Sequence, residues 1–267
     1  GNRICIAAFL LTCSLMLGGC GVKKEKEADS ELPKIVIGMD YFEPYSYQAS
    51  DGEYKGIDVE LAKEAFRRLG YRPKFENIVW EDKDELLADG TVDCLWSSYS
   101  MNGREDKYQW AGPYLYSRQM VVVKNESEIQ TLSDLKGKRI AVQATTKAED
   151  LFLHNIKSDL PQMQQVNCFS TTNEIYAALR KSYVDAIAGH EAMLGSLVKE
   201  GKDAYRMLDE SIYKSELGVA FKKGTHEEVA ADLTETLKKL QREGITEKIV
   251  TKYGLDADEI LPEGEQN

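Results

Sequence analysis

Leu86-Leu87-Ala88-Asp89-Gly90-Thr91-Val92-Asp93 reads as a helix end, a short turn and the start of a strand, and Leu179-Arg180-Lys181-Ser182-Tyr183-Val184-Asp185 repeats that plan. Both segments run into an apolar triplet and then into small polar residues. A strand that begins basic and turns apolar opens each half, Lys34–Met39 and Lys138–Gln143. The echo suggests two similar α/β lobes. A cleft at the carboxyl ends of their strands is where such a protein binds small ligands.

Outward from this pair, short β-like runs alternate with amphipathic helical runs. Strands are predicted at Ile35–Met39, Val92–Trp96, Met120–Lys124, Arg139–Gln143, Val184–Ala188 and Leu217–Phe221. In Ile57–Leu69 the residues Ile57, Leu61, Ala62, Ala65, Phe66 and Leu69 fall on one helical face, and Gly70 ends the helix. Thr171 with Glu174, Thr225 with Glu228 and Thr146 with Glu149 each have the spacing of a capping box. The alternation argues an α/β protein with mainly parallel sheets.

The chain opens differently. After Arg3, the run Ile4–Leu17 is apolar and uncharged, too short to span a bilayer comfortably and of signal-peptide length. Leu17-Gly18-Gly19-Cys20 resembles a bacterial lipobox, in which the cysteine is lipidated and becomes the new N-terminus. Residues 1–19 are therefore expected to be a lipoprotein signal peptide, and residues 20–33 a solvated, charge-alternating linker after lipidated Cys20. Two acyl chains suffice for stable anchoring.

The composition, 42% hydrophobic and 30% charged, is that of a globular protein. The net charge of −11 without clustered Lys and Arg argues against nucleic acid as a partner. No second apolar stretch approaches spanning length, which excludes a channel or permease. Cys5 and Cys13 fall in the signal, leaving Cys94 and Cys168, each in an apolar strand-like context where a buried inert thiol is expected. His154, His190 and His226 are far apart, with no zinc-ligand spacing. There is no P-loop, no G-x-G-x-x-G and no G-x-S-x-G. The run Glu81-Asp82-Lys83-Asp84-Glu85 reads as a solvated helix start rather than a metal site.

Seven separated segments, IGMDYFEPYSY, KGIDVELAKEAFRRLG, VDCLWSSYSMNGRE, WAGPY, IAVQATT, YVDAIAGH and KKLQREGITEKIVTKYG, stand in an order that resembles the extracellular solute-binding proteins of amino-acid-type ABC importers, from about Lys34 to Gly254. The resemblance implies a two-lobed type II periplasmic-binding-protein fold, with two mainly parallel sheets flanked by helices and joined by two hinge strands. Lobe 1 would comprise residues 34–122 and 219–267, and lobe 2 residues 123–218.

It also implies a ligand site. Arg104 would grip the ligand carboxylate through parallel hydrogen bonds, which guanidinium geometry suits. Ser97, Ser98 and Ser100 would hold the carboxylate and amino groups, although Met101-Asn102-Gly103-Arg104 is one residue shorter than the family's loop. Thr145 and Thr146, with Ala144 in place of the family's Gly, would open a helix whose free N–H groups attract the carboxylate. Phe42 matches an aromatic lid and Trp80 a second wall, whereas Trp96 and Trp110 read as packing. His190 stands where relatives carry an Asp for the ligand ammonium. A neutral imidazole supplies no negative charge. Asp40, Glu43 or Glu191 would then take over, or the ligand is not an ordinary α-amino acid. Asp185 reads as structural.

The expected function is that of a lipid-anchored, extracytoplasmic substrate-binding protein. It would be a monomer that captures an amino acid or related small carboxylate by hinge closure and delivers it to an ABC permease and its ATPase, without catalysis, metal or cofactor. The rivals are an enzyme on the same fold, resembling cyclohexadienyl dehydratase, with His190 and Glu191 as acid and base, and a surface sensor or adhesin lipoprotein.

Overall fold

A computed structural model describes residues 31–157 and 159–263. The expected signal peptide, Cys20 and most of the linker lie outside the described residues. In chain order the elements are β1 (Lys34–Met39), β2 (Tyr47–Gln48), β3 (Tyr54–Lys55), α1 (Ile57–Arg68), β4 (Arg72–Asn77), α2 (Lys83–Ala88), β5 (Cys94–Ser100), β6 (Tyr108–Lys124), β7 (Arg139–Gln143) and α3 (Lys147–Phe152). There follow β8 (Gln165–Phe169), α4 (Thr172–Arg180), β9 (Ala186–His190), α5 (Glu191–Glu200), β10 (Tyr205–Met207), β11 (Tyr213–Lys222), α6 (Glu227–Arg242), α7 (Ile245–Lys252) and α8 (Ala257–Ile260).

The repeat read from the sequence is visible in the strand order, β4-β1-β5-β11-β6-β9-β7-β8. At one end β1 pairs in parallel with β4 and β5; at the other β7 pairs in parallel with β8 and β9. In each group the first strand lies between the second and third. The echoed aspartates make the same bond twice. Asp93 accepts the Val36 N–H at 2.7 Å, and Asp185 accepts the Arg139 N–H at 2.8 Å; the N–H of each aspartate returns to the carbonyl of the same partner. Asp185 also pairs with the Arg139 guanidinium at 3.1 Å, a structural role.

The long strands β6 and β11 run antiparallel between the groups, paired from Tyr213↔Gln119 to Lys222↔Tyr108. Beyond that pairing β6 continues beside β9, from Gln119↔His190 to Val122↔Ile187. The two parallel groups are thus one hydrogen-bonded sheet. A register shift in β11 falls at Gly218, where an added Cβ would lie 2.6 Å from the Met101 side chain and 3.0 Å from the Ala111 carbonyl. Only glycine lets the strands approach there.

Helix α1 buries Ile57, Leu61, Ala62, Ala65 and Phe66 as its periodicity predicts, and Gly70 ends it at φ +81°. Two caps do not form as predicted. Before α6, the Thr225 hydroxyl donates back to the Lys222 carbonyl, and His226 in the left-handed region takes the cap position without a side-chain bond. Before α3, the Thr146 hydroxyl donates to the Gln143 carbonyl. The Thr171 hydroxyl does accept the Glu174 N–H, at 3.2 Å. Cys94 is buried, but Cys168 is exposed, because β8 is the outermost strand; both thiols are free. Lys83, within the acidic run read as solvated, is 4% exposed. Among the described residues no helix is long and apolar enough to cross a membrane.

Candidate ligand-binding site

The carboxyl ends of β1, β5, β7 and β9 converge, two strands from each parallel group. Between them lies a small cavity of about 20 Å³, lined by Phe42, Trp80, Ser97, Ser98, Ser100, Arg104, Thr146 and His190 among others. Eight of the ten predicted site residues therefore meet around one space. Asp40 stands at its margin, where its N–H donates to Ser97 Oγ (3.2 Å) and its Oδ2 accepts from Gln143 Nε2 (3.0 Å). Burial raises the Asp40 carboxyl above its usual range, against the hydrogen bonds from the Tyr41 N–H and Gln143. Thr145 faces a neighbouring chamber instead, and its N–H is taken by Glu149 Oε2 at 2.9 Å.

Arg104 is 7% exposed. Its Nη1 donates to the Ser100 carbonyl and its Nη2 to Asp150 Oδ2, both at 2.8 Å. The guanidinium lies 5.0 Å from the Tyr99 ring centroid. Guanidinium has five N–H donors, so three remain for an anion. Trp110, read as packing, also donates its indole N–H to the Arg104 carbonyl at 2.9 Å and fixes the loop. Trp96 is packing alone, between Phe66 and Tyr114.

Ser98 is positioned by a buried acid that sequence reasoning missed. Asp58 opens α1 with a carboxylate that accepts the Ser98 N–H (2.7 Å) and the Tyr114 hydroxyl (2.8 Å). Burial pushes its pKa up to about 7, against those two bonds. Ser98 is held at φ +45°, and Thr145 on the opposite side at φ +58°, conformations costly for residues with a Cβ. The Ser98 and Ser100 hydroxyls are buried without a hydrogen-bond partner. Strain and unspent donors thus meet at one place. Phe42 meets Trp80 edge to face at 5.8 Å, and Trp80 meets Tyr99 in the same way at 5.1 Å.

His190 ends β9. Its Nδ1 lies 2.8 Å from Ser117 Oγ and 3.2 Å from Gln119 Nε2. An amide nitrogen only donates, so Nδ1 accepts and the imidazole proton sits on Nε2. Burial lowers the pKa to about 4; the Arg104 charge acts the same way and a backbone contact with Ser98 acts against both. The ring is neutral near pH 7. The other acids weighed against it are engaged elsewhere: Glu191 pairs with Arg118 (2.5 Å) and Glu43 accepts the Tyr41 hydroxyl (2.7 Å).

Contacts cross between the two parallel groups around this cavity. Besides Asp40 with Gln143 and Arg104 with Asp150, Lys147 Nζ donates to the Asn102 carbonyl (2.5 Å), Thr172 Oγ1 to the Tyr41 carbonyl (3.3 Å), and Ser170 Oγ to Glu81. Glu149, Asp150 and His154 bring ligand atoms within 4.8 Å of one another. Asp150, however, already serves Arg104 and Lys147, and Glu149 serves the Thr145 N–H, so both carboxylates have protein partners.

A cavity between the carboxyl ends of two parallel strand groups, crossed by two long strands, agrees with a family match over residues 35–256 to the bacterial extracellular solute-binding proteins, family 3. The chain belongs to that family. Among relatives of this solute-binding chain, the L-cystine-binding protein TcyJ of Escherichia coli K12 is 26% identical over 82% of each chain. The L-cystine-binding protein TcyA of Bacillus subtilis is 24% identical over 94% of this chain and 97% of its own. Among solved structures, an ABC uptake transporter substrate-binding protein from Streptococcus pneumoniae with bound histidine superposes with a TM-score of 0.76, at 26% identity over 88% of this chain and 98% of that one. The fold is that of type II periplasmic binding proteins, and the solute-binding family consists of binding proteins rather than enzymes.

Proposed function

We propose that this chain is the receptor of an ABC importer, lipid-anchored through Cys20 on the extracytoplasmic face of the cell membrane, and that it captures an amino acid and hands it to a permease driven by an ATPase. The observation that carries this reading is Arg104. It is a buried guanidinium with donors to spare, at the junction of two parallel strand groups, beside two serine hydroxyls that lack partners. The lobes would be residues 34–122 with 219–267, and residues 123–218. The exchange points fall within β6 and β11, which supports those strands as the hinge. The space has room for about one water molecule. An amino acid therefore enters only when the lobes part, and it is held when the cross-lobe contacts re-form. Bonds to the lone donors of Ser98, Ser100 and Arg104 would then offset the cost of burying them, at about 1.5–3 kcal/mol for each bond to a charged group.

The test is a thermal-shift and calorimetry screen of the protein against the common amino acids and small carboxylates. A ligand at 100 times its Kd adds roughly 2.7 kcal/mol to stability. At least one amino acid should raise the melting temperature, and Arg104→Ala should remove that gain. No response to any compound, or full response in the variant, overturns the reading.

A further inference from the structure

Beside the small cavity lies a chamber of about 360 Å³, and Tyr99, Arg104 and Lys147 line both. Its wall holds Lys83, the first residue of α2, only 4% exposed. The Lys83 ammonium sits 5.5 Å from the Trp80 ring centroid and 5.9 Å from that of Tyr99. Among the described residues it has no hydrogen-bond acceptor and no ion-pair partner. The acids of the chamber are committed elsewhere. Asp150 holds Arg104 at 2.8 Å and Lys147 at 3.5 Å; Glu149 accepts the Thr145 N–H and lies 3.8 Å from His154; Asp84 accepts the Tyr108 hydroxyl. Burial lowers the Lys83 pKa, although the Asp84 and Glu149 carboxylates favour its charge from a distance. Two aromatic faces offset part of the lost hydration of an ammonium, but no carboxylate pairs with it directly. Arg104 and Lys83 flank the same Tyr99 ring, so their charges are no more than about 11 Å apart.

Resting on the binding-protein reading above, we infer that the ligand is a two-ended acid: its α-carboxylate meets Arg104, and a second carboxylate on its side chain enters the chamber and pairs with Lys83. His190 fits this arrangement. Its Nδ1 is occupied by donors from Ser117 and Gln119 and its backbone contact is with Ser98, so the neutral ring brings no negative charge to the cavity.

Isothermal titration of the full chain tests the inference with L-glutamate, L-2-aminoadipate and L-cystine as acid-ended probes, and L-glutamine and L-norleucine as neutral-ended ones. At least one acid-ended probe should bind tenfold or more tighter than both neutral ones. Lys83→Met should remove that preference, and Lys83→Arg should restore most of it. The wild-type preference needs no variant, so it stands as a test even if Lys83→Met folds poorly. Equal or better binding of neutral-ended probes by the wild-type protein, or an unchanged preference in a folded Lys83→Met protein, overturns this inference alone. If no probe binds, while the wider amino-acid screen finds a ligand that needs Arg104, the inference again falls alone. If that screen also finds nothing, both readings fall together.

Discussion

Arg104 and Asp150 form an ion pair across the cavity wall, Nη2 to Oδ2 at 2.8 Å, in which a carboxylate of the protein holds one edge of the guanidinium. The opposite nitrogen is held by the Ser100 carbonyl. The guanidinium is thereby aimed before any ligand arrives, and its orientation need not be acquired on binding. Asp150→Asn should leave Arg104 with an uncompensated charge in a mostly buried place. The unliganded protein should lose about 1–3 kcal/mol, and a bound carboxylate should restore part of that loss. Thermal unfolding with and without ligand checks both: a lower melting temperature for the free variant and a larger ligand-induced rise. Unchanged values in both states would mean that the pair is only incidental.

Much of the fold was legible because apolar periodicity reports burial. The strands recovered from sequence are all interior ones, such as β1, β7 and β9. Absent from the predicted strands are the outermost strands β4 and β8, the latter read only as a strand-like context around Cys168. A single neighbour demands less apolar sequence, and β4 carries Pro73 while β8 leaves Cys168 exposed. The first half of β6 is absent from the predicted strands, yet it is strand paired with β11. At the site, Arg104, the serines, Phe42 and Trp80 were readable through the resemblance. Lys83, Lys147, Asp58 and Gln143 were not. Charged and polar residues read as solvated from sequence, and only the three-dimensional placement of Trp80 and Tyr99 around Lys83, Tyr114 beside Asp58 and Tyr213 beside Lys147 reveals their burial.

Three Thr-x-x-Glu spacings looked alike, and only Thr171 caps a helix with its hydroxyl. Thr171→Ala should therefore destabilise the protein by about 1 kcal/mol, the usual worth of such a cap. Thr225→Ala should cost less, since its hydroxyl caps no helix and joins the carbonyl of the exposed Lys222 and the His226 ring. Urea unfolding of the two variants decides the matter; the reverse ranking would contradict the assignment.

Gln143 is the most connected of the cross-group contacts. Its Nε2 donates to Asp40 Oδ2 and to the Ser170 carbonyl, both at 3.0 Å, and its Oε1 accepts from Thr172 at 3.3 Å. If closure forms the Asp40 bond after the ligand has landed, that bond acts on escape rather than entry. Gln143→Ala should then speed ligand release about tenfold, equivalent to about 1.4 kcal/mol, with an association rate within threefold of the original. Stopped-flow fluorescence of Trp80 and its neighbours reads both rates. Slower association with unchanged release would remove Gln143 from the closing contacts.

Two buried groups that share Ser98 should act on the protein's pH profile with opposite signs. His190 has a pKa near 4 in the fold against 6.5 for the free side chain, so between those values the unfolded chain binds a proton that the folded one refuses. Its contribution is complete above pH 6.5 and is lost as pH falls toward 4. Asp58 has the opposite sign. Its pKa near 7 stands above the ordinary 3.8, so the folded chain keeps a proton that the unfolded one releases. That contribution is complete below pH 3.8 and is lost as pH rises toward 7. Across pH 4.5–6.5 the two slopes, each about 1.4 kcal/mol per pH unit, oppose each other. Asp58→Asn should uncover the histidine, so that the melting temperature climbs with pH over this range. His190→Gln should uncover the aspartate, so that it falls. For a chain of this size each slope is on the order of 4 °C per pH unit. All other ionisable groups are common to both variants, so the divergence between their two melting curves isolates this pair. Parallel curves would mean that at least one of the two titrates as an ordinary solvent-exposed group, and the neutral histidine argued for the ligand cavity would go with it.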